Sequence, residues 1–508
     1  MLKLLLSLCF LFSVSAQAQM EFCTPELDTF PVLAGGREKP LYVLATDSIR
    51  FITGSTKVDD LTATQAFCKL SLKAFGMPLE LPIMVKVEHV DVRKKLGMGE
   101  NETHAPVNTL LAKAGLIETE LAQQKENNSY KKELNKVGQR LGTYQAIIEA
   151  RAWTVPIKKD NKIEFLPLAE FLTEDKVMSA QGKGMNPVKY LMENAKNDYL
   201  SVKGDGYLLE LRYFKLNLFA WALGCSLIAI LLFVGLKNKI PGTVMTAISI
   251  ALQITAMYMR ITISGRAPVT NMYETVMFSG FGALIISCII TIYRKEKAFV
   301  IAGLSFNVLT LMMMKFANGM LDPGIAPLVP VLRDNFWLST HVTTVILSYA
   351  ALALSWILAN SLLIKSRFST ISSEDYRYKV DLIYTCIKFG VVLLATGVIL
   401  GGVWADYSWG RFWGWDPKET WSLIVLLVYM SILHGKSTSW IPPKRFVPLV
   451  AGAFMSVMMA WFGVNYILAS GLHSYGFSEG GAIFLGSFFL LQILVLIFCT
   501  VRMPQRLA

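Results

Sequence analysis

The residue types in this chain that could do chemistry gather around one run. Residues 404–421 read WADYSWGRFWGWDPKETW, with five tryptophans, one phenylalanine and one tyrosine in eighteen residues. His341 precedes the run and His473 follows it, and His434 lies thirteen residues after Trp421. Two neutral imidazoles beside a glycine-studded aromatic surface suit a large flat apolar ligand with a metal at its centre. That is the requirement of a bis-histidine haem site. The glycines let backbone approach a flat ring closely. Asp406, Asp416 and Glu419 could orient ligands or pair with Arg411. The competing reading is an interfacial aromatic belt, but a belt scatters its rings over many span ends instead of concentrating them in one loop.

The elements that must position these residues are membrane spans. The chain has 508 residues, 53% hydrophobic and 17% charged, with a mean hydropathy of +0.45. From Tyr213 onward nine apolar stretches are long enough to cross about 30 Å of hydrocarbon, which takes about 20 helical residues. They fall near 214–236, 242–264, 271–293, 298–317, 341–364, 383–404, 419–436, 446–469 and 481–501. Residues 1–19 have the form of a secretory signal peptide, cleaved near Ala18. An uncleaved anchor is the alternative, and either way the next segment is exported. Residues 20–212 are then a soluble extracytoplasmic domain, mixed α/β or mainly helical. In it, 41–45 and 83–87 look like strands, about 107–153 looks helical, and 182–187 looks like a loop.

An exported first domain sends the first span inward. Alternate loops then carry Lys237, Lys239, Arg294, Lys295, Lys297, Lys365, Arg367, Arg377, Lys379, Lys436, Lys444 and Arg445 inside, and the C-terminal Arg502 and Arg506 as well. Outer loops carry Arg266, Arg333, Arg411 and Lys418. This asymmetry agrees with the signal peptide and puts the tryptophan run outside. It also accounts for the formal net charge of +12 without nucleic acid as a partner. His341 and His473 then lie at the outer surface. His434, at about 1.5 Å per residue, lies roughly 20 Å deeper. One haem cannot reach both depths, so His434 serves a second, deeper site or else snorkels to the inner interface beside Lys436. His89 and His104 suit surface or capping roles. There is no Cys-x-x-Cys, and only Cys23 and Cys68 could form a disulfide in the exported domain.

The run 404–421 resembles the tryptophan-rich WWD signature of haem-handling membrane proteins. Within that group the chain resembles the CcsA (ResC) part of System II cytochrome c synthases. Residues 266–274 (RAPVTNMYE), His341, His434 and His473 in Gly-Leu-His-Ser-Tyr-Gly fit the same pattern, over about 240–501. The resemblance implies a CcsA-like haem-handling domain at 213–508, in a bacterial inner membrane with the loop on the periplasmic side. It implies that haem b is carried outward and attached to Cys-x-x-Cys-His of an apocytochrome c, a haem lyase acting within a complex. His341 and His473 would be the outer axial ligands and His434 a deep one. Trp404, Trp409, Trp413, Trp415, Asp416 and Trp421 would hold the outer haem. The chain would supply positioning, with no acid or base residue assigned. The first four spans contain no histidine, so the second deep ligand is expected from a CcsB/ResB-type partner. Thiol-reducing proteins would be further partners. Residues 27–41 loosely resemble the soluble stretch before the CcsA part of some fused synthases. A haem exporter or chaperone without ligation activity is the alternative, and the inverted symmetry expected of a solute transporter is not visible.

Overall fold

The computed structural model describes residues 22–76, 81–124, 129–181, 186–317, 319–327, 334–468 and 481–501. The signal segment 1–19 and His473 lie outside the described residues. The chain divides into two compact units, Met1–Leu216 and Asn217–Ala508.

In the first unit, helices surround Trp153, which is fully buried. The rings of Phe22, Phe30 and Phe67 lie 6.4, 6.0 and 6.1 Å from it. Four two-stranded antiparallel sheets sit among the helices of the described residues. A disulfide joins Cys23 to Cys68. The strand expected at 41–45 is instead the start of a helix, Leu41–Thr53. Five residues show alternation at Leu41, Val43 and Ala45, but the buried set continues through Ile49 and Ile52, a helical stripe that only a longer window shows. The strand expected at 83–87 forms over Met84–Lys86. The stretch expected to be helical forms Val107–Leu111, Ala114–Gln123 and Ser129–Ile148. His89 caps the helix Val90–Lys95 by accepting from the Asp91 N–H.

The described residues include nine helices long and apolar enough to cross a membrane. In the second unit these are α1 (Leu218–Gly235), α2 (Ile240–Ser264), α3 (Met272–Arg294) and α4 (Lys297–Phe316). They continue as α5 (Asn335–Phe368), α6 (Ser373–Trp409), α7 (Pro417–Ser437), α8 (Pro443–Leu468) and α9 (Gly481–Thr500). The protein is therefore a mostly helical, multi-pass membrane protein. Its helix ends follow local chemistry. Asn271 caps α3 by accepting from the Glu274 N–H, Ser372 caps α6 from Asp375, and Gly410 ends α6 with a left-handed φ of +67°, a conformation that suits glycine. In the bundle interior Ser226, Ser249, Gln253 and Asn307 bond mainly to one another, the way polar side chains join helices in lipid.

Helix α5 packs closely on antiparallel α6. Gly390, Gly397 and Gly401 of α6 face Leu352, Val345 and His341 of α5, in that order. The steps down one helix match the steps up the other. A Cβ at these glycines would lie 2.5, 2.7 and 2.5 Å from the facing side chains, so the seam needs glycine to close. His341 is thus a packing residue of this seam as well as a polar one.

Candidate functional site

The tryptophan run is mostly helix. Trp404 to Trp409 are the last turns of α6, and residues 417–421 open α7. Residues 410–416 alone form the connection. Asp416 is the N-cap of α7, accepting from the N–H groups of Lys418 and Glu419 at 2.8 and 3.1 Å. Glu419 reaches back to the N–H groups of Gly414 and Asp416 at 2.7 and 3.3 Å. This capping box, with Pro417 in the first turn, holds the short loop. Phe412 lies over Gly402, where a Cβ would stand 2.5 Å from the ring.

The loop closes one end of a cavity built where α3, α5 and α7 begin and α6 and α8 end. The cavity holds about 1200 Å³ between protein atoms, part of it open to solvent. Its lining combines His341 with Trp404, Trp409, Phe412, Trp413, Tyr349 and Trp461, along with valines and glycines. A few polar groups join them, among them Asn271, Lys418 and Glu419. The indole Nε1 of Trp413 is buried with no partner among the described residues, a donor available to an acceptor on a ligand.

His341 sits in a π-helical turn, Leu338–Val342. Its Nδ1 lies 2.8 Å from the Gly397 carbonyl oxygen. A carbonyl only accepts, so Nδ1–H donates and Nε2 carries the ring's lone pair. A backbone carbonyl on one nitrogen sets the tautomer that lets the other ligate a metal. The Trp404 ring stands edge-on to the imidazole at 5.8 Å. A second π-helical segment, Met459–Leu468, ends α8 and supplies Ala460, Trp461 and Asn465. Such π segments often mark functional sites. Trp461 Nε1 donates to Thr275 Oγ1 at 3.1 Å.

Of the residues singled out by sequence, His341, Trp404, Trp409, Trp413 and Glu419 line this one cavity. Trp415 is exposed, Asp416 caps its helix, and Trp421 and His434 are not part of the lining. His434 is exposed near the far end of α7, with its Nδ1–H donating to the Met430 carbonyl at 2.8 Å. Sequence reasoning missed Tyr349, Trp461 and Asn465. Trp461 and Asn465 fall about one helical turn apart in an otherwise apolar run, a pattern that could have marked them.

A family model described as cytochrome C assembly protein matches residues 269–473. That segment contains the cavity, His341, His434 and His473, and lies wholly in the second unit. The cytochrome c biogenesis protein CcsA of Guillardia theta is 35% identical over 239 residues, covering 42% of this chain and 78% of that protein. This chain belongs to the CcsA-type cytochrome c biogenesis family. The family's CcsA of Pyropia yezoensis is 30% identical over 322 residues, which cover 53% of this chain and 99% of that protein. Protein NrfI of Wolinella succinogenes is 34% identical over 235 residues, 44% of this chain and 25% of that protein. The chain thus functions in cytochrome c biogenesis, and its first unit lies outside the family match.

Proposed function

We propose that this chain carries haem b outward and presents it in the His341 cavity for covalent attachment to Cys-x-x-Cys-His of an exported apocytochrome c. The observation that carries the reading is the His341 Nδ1–Gly397 carbonyl bond inside an aromatic cavity. That bond directs the Nε2 lone pair to a metal, and the surrounding rings suit a porphyrin face. His473 is the proposed second axial ligand. The Cys23–Cys68 disulfide and the basic residues at the opposite helix ends support placing the first unit and the cavity on the outer, periplasmic side of a bacterial inner membrane.

Attachment adds each cysteine S–H across a vinyl C=C of the haem, so no electrons enter or leave. The protein's part is positioning: the cavity holds the haem, excludes water from one face, and aligns the vinyl edge with the incoming thiols. The substrate histidine then displaces one axial imidazole. His434 serves a second, deeper haem whose other ligand comes from a CcsB/ResB-type partner. Its exposure on the bundle surface suits a ligand completed by another polypeptide. Thiol-reducing proteins supply the reduced cysteines.

The test is the chain purified with its partner, its reduced absorption spectrum, and a co-expressed Cys-x-x-Cys-His reporter. Wild type is expected to carry haem and to yield covalent reporter haem, and replacement of His341 and His473 together is expected to abolish the outer haem spectrum. An unchanged spectrum in that variant overturns the reading. Haem bound without any attachment favours a carrier lacking ligation activity.

A further inference from the structure

One wall of the cavity, residues 269–272, is held by a buried ion pair that does not line the cavity. Arg260, near the end of α2, is 0% exposed, and Glu274, in the first turn of α3, is 1% exposed. Arg260 Nε donates to Glu274 Oε1 at 2.7 Å. Its two terminal nitrogens donate to the carbonyls of Pro323 and Gly324 at 2.9 and 3.1 Å. The other carboxylate oxygen, Glu274 Oε2, accepts from the Thr270 N–H at 2.7 Å and from its hydroxyl at 2.6 Å. The Tyr273 ring stacks against the guanidinium at 5.3 Å. A planar fork on one side and a two-oxygen acceptor on the other join α2, the loop before α3 and the segment after α4 into one unit.

A buried ion pair that only joined helices could be exchanged for apolar side chains at little cost. This pair does what apolar side chains cannot, because its remaining bonds go to backbone groups of two loops. The polar cluster of Ser226, Ser249, Gln253 and Asn307 differs in this respect, since its side chains bond mainly among themselves. From the cavity's other side, Asn465 Nδ2 approaches Met272 Sδ at 3.1 Å and Trp461 bonds Thr275. The start of α3 is therefore clamped between a charged pair and a π-helical segment.

We infer that Arg260 and Glu274 are a positioning pair for the haem cavity: through Thr270 they set the wall at residues 269–272 and so the seating of haem against His341. This rests on the reading of the cavity as a haem site. Neither residue touches the ligand. They act through the wall, so their loss changes how haem sits rather than only how much protein survives.

The test compares variants of the full chain purified with its partner. Glu274→Gln has one acceptor oxygen, so it cannot serve Arg260 and Thr270 together. Thr270→Val keeps the ion pair and removes the hydroxyl's bond to Glu274, together with the 3.5 Å contact that the same hydroxyl accepts from Arg266. Asn307→Leu breaks the remote cluster and serves as the structural control. The readouts are the low-spin electron paramagnetic resonance g-values of the bound haem and reporter attachment per bound haem. Glu274→Gln is expected to shift the g-values and lower attachment per haem roughly 10-fold or more, in the range that loss of an outer-shell support costs. Thr270→Val is expected to move both in the same direction by less, and it carries the test if Glu274→Gln does not accumulate. Asn307→Leu is expected to change abundance alone. If both wall variants keep wild-type g-values and wild-type attachment per haem, the pair merely holds the fold and the inference is overturned. If wild-type haem is instead indifferent to His341→Ala, the reading of the cavity fails and the inference falls with it.

Discussion

His341 and His434 make the same bond in opposite ways. Each donates Nδ1–H to a backbone carbonyl at 2.8 Å, so each keeps its lone pair on Nε2. For His341 the carbonyl belongs to Gly397 on a neighbouring helix, and the ring is wedged against Gly401. For His434 the carbonyl belongs to Met430 on its own helix, and the side chain is exposed. The first imidazole is oriented by tertiary packing, and the second by its own helical turn. A ligand of the first kind is ready as soon as the bundle folds. One of the second kind is oriented but uncovered, which fits a site that a partner completes.

The contrast breaks first at the histidines themselves. His341→Ala removes a proposed iron ligand from a preformed cavity. Reporter attachment is expected to fall by at least the ~10–100-fold that losing only an outer-shell support costs. His434→Ala is expected to lower the amount of haem loaded while leaving the spectrum of whatever haem reaches the cavity unchanged. Spectra of both variants, normalised to haem content, check this. If His434→Ala distorts the cavity haem as fully as His341→Ala does, the two-site distinction is wrong.

The glycines beside the two histidines sharpen the same point. A Cβ at Gly401 would stand 2.5 Å from His341 Cε1. A Cβ at Gly435 would instead meet Ile441 of the following turn. Gly401→Ala is therefore expected to rotate the imidazole off the Gly397 carbonyl, at the ~1–3 kcal/mol cost of overpacking, with reduced haem occupancy and a shifted spectrum. Gly435→Ala is expected to lower thermal stability by a similar amount with the spectrum unshifted. Equal spectral shifts in the two would mean that packing at the α5–α6 seam does not orient the ring.

Much of this arrangement was legible in the sequence because membrane spans obey a coarse rule, about 20 apolar residues each. All nine expected stretches coincide with helices. The clustering of His341 with Trp404, Trp409 and Trp413 was also readable, from residue type and shared span ends. The limits of the run were not, because residues 405–409 and 417–418 extend helices beyond the spans that hydropathy alone marks. Nor was the glycine seam readable, since matching Gly390, Gly397 and Gly401 to Leu352, Val345 and His341 needs the register between two helices. The Arg260–Glu274 pair was hidden for the same reason: a lone arginine late in an apolar span does not announce which carboxylate it meets.

The tryptophans repeat the contrast between the histidines. Trp404 is 8% exposed and set by the core, but Trp415 is 69% exposed and holds a left-handed φ of +57°. For a residue with a Cβ that conformation costs roughly 1–2 kcal/mol, and glycine would relieve it at some entropic cost in the unfolded chain. Trp415 also stands edge-on to Trp413 at 5.9 Å, and Trp413 lines the cavity. Such aromatic pairs are worth about 0.5–1.5 kcal/mol. Trp415→Gly is therefore expected to leave thermal stability level or slightly raised while haem occupancy falls a few-fold, because Trp413 loses its buttress. Melting of the haem-free protein and haem titration of the same preparation separate the two effects. If stability and occupancy fall together, Trp415 is an ordinary packing residue. If neither moves, the strained tryptophan has no part in holding the cavity, and the functional surface of the run ends at Trp413.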